Sequence, residues 1–127
     1  MISVYGIKEQ LNPVKELLSD TINNCMQKVL KFPGNKRSHR FFPMDKQDFY
    51  YPEERSNAYI FIEINMMKGR QPETLRTLIR SLFQDIESAV GIAPRDVEIV
   101  ITEQPAYCWG FRGMVGDEAK LTYKVEV

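Results

Sequence analysis

The chain has 127 residues, 43% of them hydrophobic, with seventeen basic residues set against seventeen acidic ones. That length supports one domain with a real core and is too short for two ordinary ones. A zero net charge excludes a whole-surface field for DNA, RNA or an anionic membrane, so any anion recognition is local. Cys25 and Cys108 show neither a CxxC nor a His-paired spacing, which leaves no zinc signature. Two reduced thiols in a cytoplasmic protein are expected. No apolar run approaches membrane-spanning length, and the start of the chain lacks a basic region followed by an apolar one, so neither an anchor nor a signal peptide is expected.

In chain order, residues 1–5 make a short strand and 6–12 a turn ending in Asn12-Pro13, an N-cap followed by a good first helical residue. Val14, Leu17, Leu18, Thr21, Ile22, Cys25, Met26, Val29 and Leu30 then recur at helical spacing, with polar residues on the other side. Phe32-Pro33-Gly34 stops that helix. A basic loop with Lys36, Arg37, His39 and Arg40 runs into a short strand at Phe41-Phe42, and residues 45–56 form a long polar and aromatic connection without clear period. Residues 58–67 form an apolar strand whose continuous run from Tyr59 to Ile64 fits a sheet covered on both faces. After the Lys68-Gly69-Arg70 turn, Pro72 opens a helix with Leu75, Leu78, Ile79, Leu82, Phe83, Ile86, Ala89 and Val90 on one stripe. Gly91 suits a left-handed cap before Pro94, and residues 97–102 make the next strand. The tail from 105 to 127 mixes aromatics with glycines, and 121–127 alternates weakly, as an added strand would.

The order strand, proline-initiated helix, proline-containing stop and strand occurs twice, at an offset of roughly sixty residues. The half-repeats cover about residues 1–45 and 57–104, within a single domain 1–127. The fold class is α/β, as an α+β two-layer arrangement: a tandem βαβ repeat, with a mixed four-stranded sheet plus short extra strands and two helices on one face. The uncovered sheet face then packs against other subunits.

Arg40-Phe41, Ile62-Glu63-Ile64-Asn65 leading into Lys68-Gly69-Arg70, then 91–97 (Gly-Ile-Ala-Pro-Arg-Asp-Val) and Trp109-Gly110-Phe111 follow one another as in the tautomerase superfamily. The chain resembles its longer, fused-repeat members, such as malonate semialdehyde decarboxylase. The resemblance implies a homotrimer with inward-facing sheets and a pocket at a subunit boundary. It also implies chemistry by an N-terminal proline, which this chain lacks, since position 2 is Ile. A large second residue keeps the initiator Met, so the amine at that place is the primary amine of Met1, with a reference pKa of roughly 7.7–8.0. The matching carboxylate-binding positions are Lys68 and Arg70, with Arg40 and Trp109 beside them. His39 replaces an acidic residue just before Arg40 and supplies a titratable group.

Met1 and His39 are therefore the candidate catalytic residues, and Lys68, Arg70, Arg40 and Trp109 the candidate substrate-binding ones. No metal and no cofactor is expected. The expected partner is a small keto acid or other small carboxylate, with no nucleic acid and no membrane. Arg is suited to grip a carboxylate through two parallel hydrogen bonds, and Lys offers a point charge. Each candidate has a plainer alternative: a solvated turn for Lys68 and Arg70, a loop histidine for His39, packing for Trp109. The acids Asp45, Asp48, Glu53 and Glu54 fit neither an EF-hand nor a helical acid pair. The readings left open are a tautomerase-like isomerase or lyase, a non-catalytic small-acid binder, and a structural trimer.

Overall fold

In a computed structural model, residues 1–119, 121 and 123–127 are described. The chain runs β1 (Ile2–Ile7), α1 (Lys8–Leu11), α2 (Lys15–Leu30), β2 (His39–Met44), β3 (Ile60–Met67), α3 (Pro72–Val90), β4 (Val97–Gln104), β5 (Gly110–Phe111) and β6 (Met114–Val115). One four-stranded sheet has the order β2-β1-β3-β4. β1 is parallel to β2, β3 is parallel to β4, and the two pairs meet through antiparallel β1 and β3. This is the expected tandem βαβ arrangement. Two crossover helices force parallel pairing within each half, and only an antiparallel seam joins the halves. β5 and β6 form the short extra strands, as a separate two-stranded hairpin.

Both long helices lie on one face. Leu18, Ile22 and Leu30 of α2 and Leu78, Leu82 and Ile86 of α3 are buried with Ile2, Val4, Ile60, Ile62 and Ile64 of the sheet. Each such side chain contributes about 1.5–3 kcal/mol relative to exposure. The opposite face carries Tyr5 stacked on Phe42 at 4.8 Å and on Phe61 at 5.9 Å. β3 is therefore buried only at alternate positions within one chain, although its sequence reads as apolar on both sides.

The helix signals around α3 act as expected. Pro72 stands in its first turn, and Gly91 closes it in the left-handed region at φ 85°. The start of α2 differs. Asn12 ends the one-turn helix α1, and α2 begins at Lys15 with Val14 as its N-cap. Four residues are too few to show a helical period, so the sequence there predicts only a turn. β2 extends from His39 to Met44 because its whole length pairs with β1. Part of the strand expected over 121–127, Thr122, lies outside the described residues, and the described residues there form no strand. Their backbone is engaged elsewhere: Gln71 N–H and the Thr74 hydroxyl both donate to the Val127 oxygen, each at 2.9 Å. Among the described residues no helix is long and apolar enough to cross a membrane.

Candidate functional site

The antiparallel seam sets the first strand's start beside the third strand's end. The Met1 amine donates to the Asn65 oxygen at 2.9 Å, and Asn65 N–H donates back to the Met1 oxygen at 2.9 Å. Three residues beyond β3, the Gly69-Arg70 turn folds Arg70 inward until it is only 7% exposed. Gly69 makes that turn possible, with φ 149° and no side chain where a Cβ would lie 2.8 Å from the Val125 side chain. Lys31, the C-cap of α2, takes a left-handed conformation at φ 60°, and the chain then presents Phe32 beneath Arg70, 5.5 Å from guanidinium carbon to ring centroid.

Met1, Phe32, Arg70, Trp109, Phe111 and Tyr123 are among the residues lining one cavity of about 400 Å³. Its polar groups are incompletely used. Arg70 Nη1 donates to the Met67 oxygen at 2.8 Å, whereas Arg70 Nε, Arg70 Nη2 and Trp109 Nε1 are buried with no hydrogen-bond partner among the described residues. Buried polar groups are normally paired, and leaving one unpaired costs roughly 1–3 kcal/mol. Three unpartnered nitrogens on residues that line one cavity therefore call for an acceptor, and among the described residues lining it none is Asp or Glu. Burial pushes the Arg70 guanidinium down, and Tyr123, Glu103 and Glu126 push it back up. Arginine stays cationic under such opposing shifts.

Burial also lowers the Met1 amine from its ordinary 8.0, with the charges of Arg40 and Arg70 adding to the effect. A larger neutral fraction near pH 7 follows, as a base requires. Arg40 reaches the amine through its field: it pairs in register with Ser3 on the exposed edge strand. Lys68 is exposed and absent from the cavity lining; its backbone N–H donates to the Gln104 oxygen at 2.7 Å. His39 is in register with Ile2, and its Nδ1 lies 2.8 Å from the Ser19 hydroxyl of α2. Burial first, then Arg37 and the terminal amine, push its imidazole down to about 4, so it is neutral at pH 7. The seam thus brings Met1, Arg70 and Trp109 to one cavity, with Arg40 acting from nearby. His39 flanks them, and Lys68 stands apart. Phe32 and Tyr123 line the cavity without having been singled out in the sequence. They come from a loop and a tail far apart in the chain, and nothing local marks them. Among the described residues, no group of three or more His, Cys, Asp or Glu is placed to hold a metal ion.

Comparison with known proteins gives this geometry a family. The sequence profile described as tautomerase enzyme matches residues 36–112, more than half of the chain. The probable tautomerase YusQ of Bacillus subtilis is 26% identical over 99 residues, covering 74% of this chain and 78% of that protein. The probable tautomerase RSp0893 of Ralstonia nicotianae is 34% identical over 59 residues, covering 46% and 84%. Among solved structures, malonate semialdehyde decarboxylase superposes with a TM-score of 0.82 at 18% identity, covering 91% of this chain and 93% of that one. A fused 4-OT described as an asymmetric trimer gives 0.81 at 15% identity, covering 92% and 96%. These structural likenesses concern the fold, and the profile match carries the assignment: the chain belongs to the tautomerase family.

Proposed function

We propose that this protein is an isomerase or lyase of the tautomerase type, acting on a small keto acid in the Arg70 cavity. The observation that carries this is that Met1 lines one cavity with Arg70 and Trp109, which hold three buried nitrogens without partners among the described residues. Arg70 Nε and Nη2 hold the substrate carboxylate through parallel hydrogen bonds. The Trp109 indole N–H meets the keto oxygen, where negative charge grows as the enolate forms. The neutral Met1 amine takes a proton from the carbon beside the carbonyl and returns it at the far end of the enol system. Its hydrogen bond to Asn65 fixes its position in the ladder, and the surrounding cations favour its neutral form.

The working assembly is a homotrimer, with the cavity completed at a subunit boundary. Its support is the open sheet face, where Phe42 is 40% and Val100 43% exposed, together with the trimeric description of the fused 4-OT neighbour. A non-catalytic acid binder is the second reading, favoured by Ile at position 2 where the family's chemistry uses proline.

Ketonisation of phenylenolpyruvate tests the first reading in wild type, Arg70→Gln and Ile2→Pro. Wild type accelerates the reaction over buffer, and Arg70→Gln loses about 100-fold in kcat/KM, as expected when one partner of a buried charge pair is truncated. Turnover by Ile2→Pro alone would retire the catalytic reading and leave acid binding, which a thermal-shift titration with pyruvate then measures.

A further inference from the structure

Resting on that reading of the Arg70 cavity, we propose that the site selects a monocarboxylate with an aromatic-sized apolar body over a short acid or a dicarboxylate. Phe32 and Tyr123 set the preference.

Among the described residues, the polar end of the cavity has one buried cation. Arg70 has two unpartnered nitrogens on one guanidinium edge, enough for one carboxylate. Lys36, the other cation among the described lining residues, is an exposed loop residue. A second carboxylate would therefore be taken from water without a fixed partner, which is unfavourable for a buried charge. The remaining wall is of another kind, built from Met26, Phe32, Met66, Phe111 and Tyr123. Phe32 and Tyr123 meet at 4.8 Å between ring centroids with planes tilted by 57°, so they form one aromatic surface beside the guanidinium. The methionines add side chains that adapt to a ligand's outline. At about 400 Å³ the space lies within the roughly 300–1,000 Å³ range of pockets that bury whole organic ligands. A three-carbon acid would engage the polar end and leave the aromatic wall against water.

Tyr123 is held in that wall by the segment that follows it. Val125 is buried against Gly69, and the Val127 oxygen accepts from Gln71 and Thr74 at the start of α3. The same turn that buries Arg70 thus seats the tail, so the charge and the aromatic wall are set by one piece of backbone.

Calorimetric titration of the full chain with 3-phenylpropionate, propionate and succinate tests this, because none of the three can react. The expected result is binding of 3-phenylpropionate about tenfold or more tighter than of either other acid, from the apolar area its ring buries. Tyr123→Ala and Phe32→Leu should bring that ratio below about threefold, and Tyr123→Phe, which keeps the ring, should preserve it. Propionate or succinate binding as tightly as 3-phenylpropionate, with all lost in Arg70→Gln, overturns the preference and leaves the anion site standing. A ratio unchanged in Tyr123→Ala overturns the assignment of the wall. Absence of binding by all three acids, or binding indifferent to Arg70→Gln, overturns both the preference and the function beneath it.

Discussion

The pseudo-two-fold relation between the half-repeats gives the sheet two comparable ends, and they are finished in opposite ways. Where β1 begins and β3 ends, Arg70 and Trp109 keep buried N–H groups without partners among the described residues. Where β3 begins and β1 ends, the equivalent space is about 150 Å³ and lined mainly by residues such as Leu11, Val14, Tyr59 and Ile92. The buried acid at that end of the sheet, Asp96, is 4% exposed and accepts from both the Ser56 backbone N–H and the Ser56 hydroxyl at 2.7 Å. That end uses its carboxylate within the fold, although Arg55 Nε there is also buried without a partner among the described residues, whereas the Arg70 end gathers its unpartnered nitrogens on residues around one cavity. Unpaired buried polar groups gathered in this way fit a site where stability has been exchanged for binding.

Matched substitutions would break this contrast most sharply. Asp96→Ala should destabilise the protein by about 2–3 kcal/mol, because it strands the Ser56 donors and empties a buried position. Arg70→Met should move stability the other way, by about 1 kcal/mol, since a buried cation with no ion-pair partner among the described residues is replaced by an apolar side chain of similar length. Denaturant midpoints for the two variants decide the matter, and a loss of stability in both would mean that Arg70 serves the fold as Asp96 does. Gly69→Ala should cost about 1 kcal/mol or more, since it forces a side chain into a backbone conformation suited to glycine and against Val125. Its effect should extend to binding, with weaker affinity for 3-phenylpropionate as the tail shifts.

The smallest effect is one of pH, and it also separates the two ends. His39 has a folded-state pKa of about 4 against an ordinary 6.5. Its contribution is fully present above pH 6.5 and is lost as pH falls towards 4, because the unfolded chain binds the proton first. Burial pushes the Asp96 carboxyl up, but the Ser56 hydrogen bonds, with Arg95 and Arg55, hold it below its usual 3.8. Its contribution is therefore present above 3.8 and fades only in stronger acid. Stability measured against pH should show a shallow decline between pH 6.5 and 4 that His39→Gln flattens, followed by a decline at lower pH that Asp96→Asn removes. A His39→Gln curve parallel to wild type would show that the imidazole is not buried as described.

The parts legible in the sequence were those with a period. α3 could be drawn from Pro72, its apolar stripe and Gly91, and the strand beside it from its β-branched run, because each signal acts over neighbouring residues. The halves were recognisable as repeats because the proline and apolar spacings recur. α1 was not, since Lys8, Glu9 and Gln10 are polar and Leu11 alone is buried. The tail departs from its sequence pattern for a related reason. Alternation over 121–127 implied pairing in a sheet, whereas the partner of Val127 is the first turn of α3. Of the site, Arg70 stood out through its place after the third strand. What could not be read was that two of its nitrogens lack partners, or that Phe32 and Tyr123 meet beside it, for these depend on contacts across most of the chain. Lys68, two positions earlier and alike in charge, stays exposed while Arg70 is buried, because the turn at Gly69, with φ 149°, breaks the strand's alternation between them.

The left-handed conformation of Lys31 carries a further consequence. A residue with a Cβ enters that region at a cost of about 1–2 kcal/mol, which the rest of the fold must supply. Once it is supplied, the direction of the following residue is settled, and the Phe32 ring lies under the guanidinium before any ligand arrives. The entropy of ordering that ring is thereby charged to folding instead of to association, so an incoming acid meets a preorganised surface and keeps more of its contact energy as affinity.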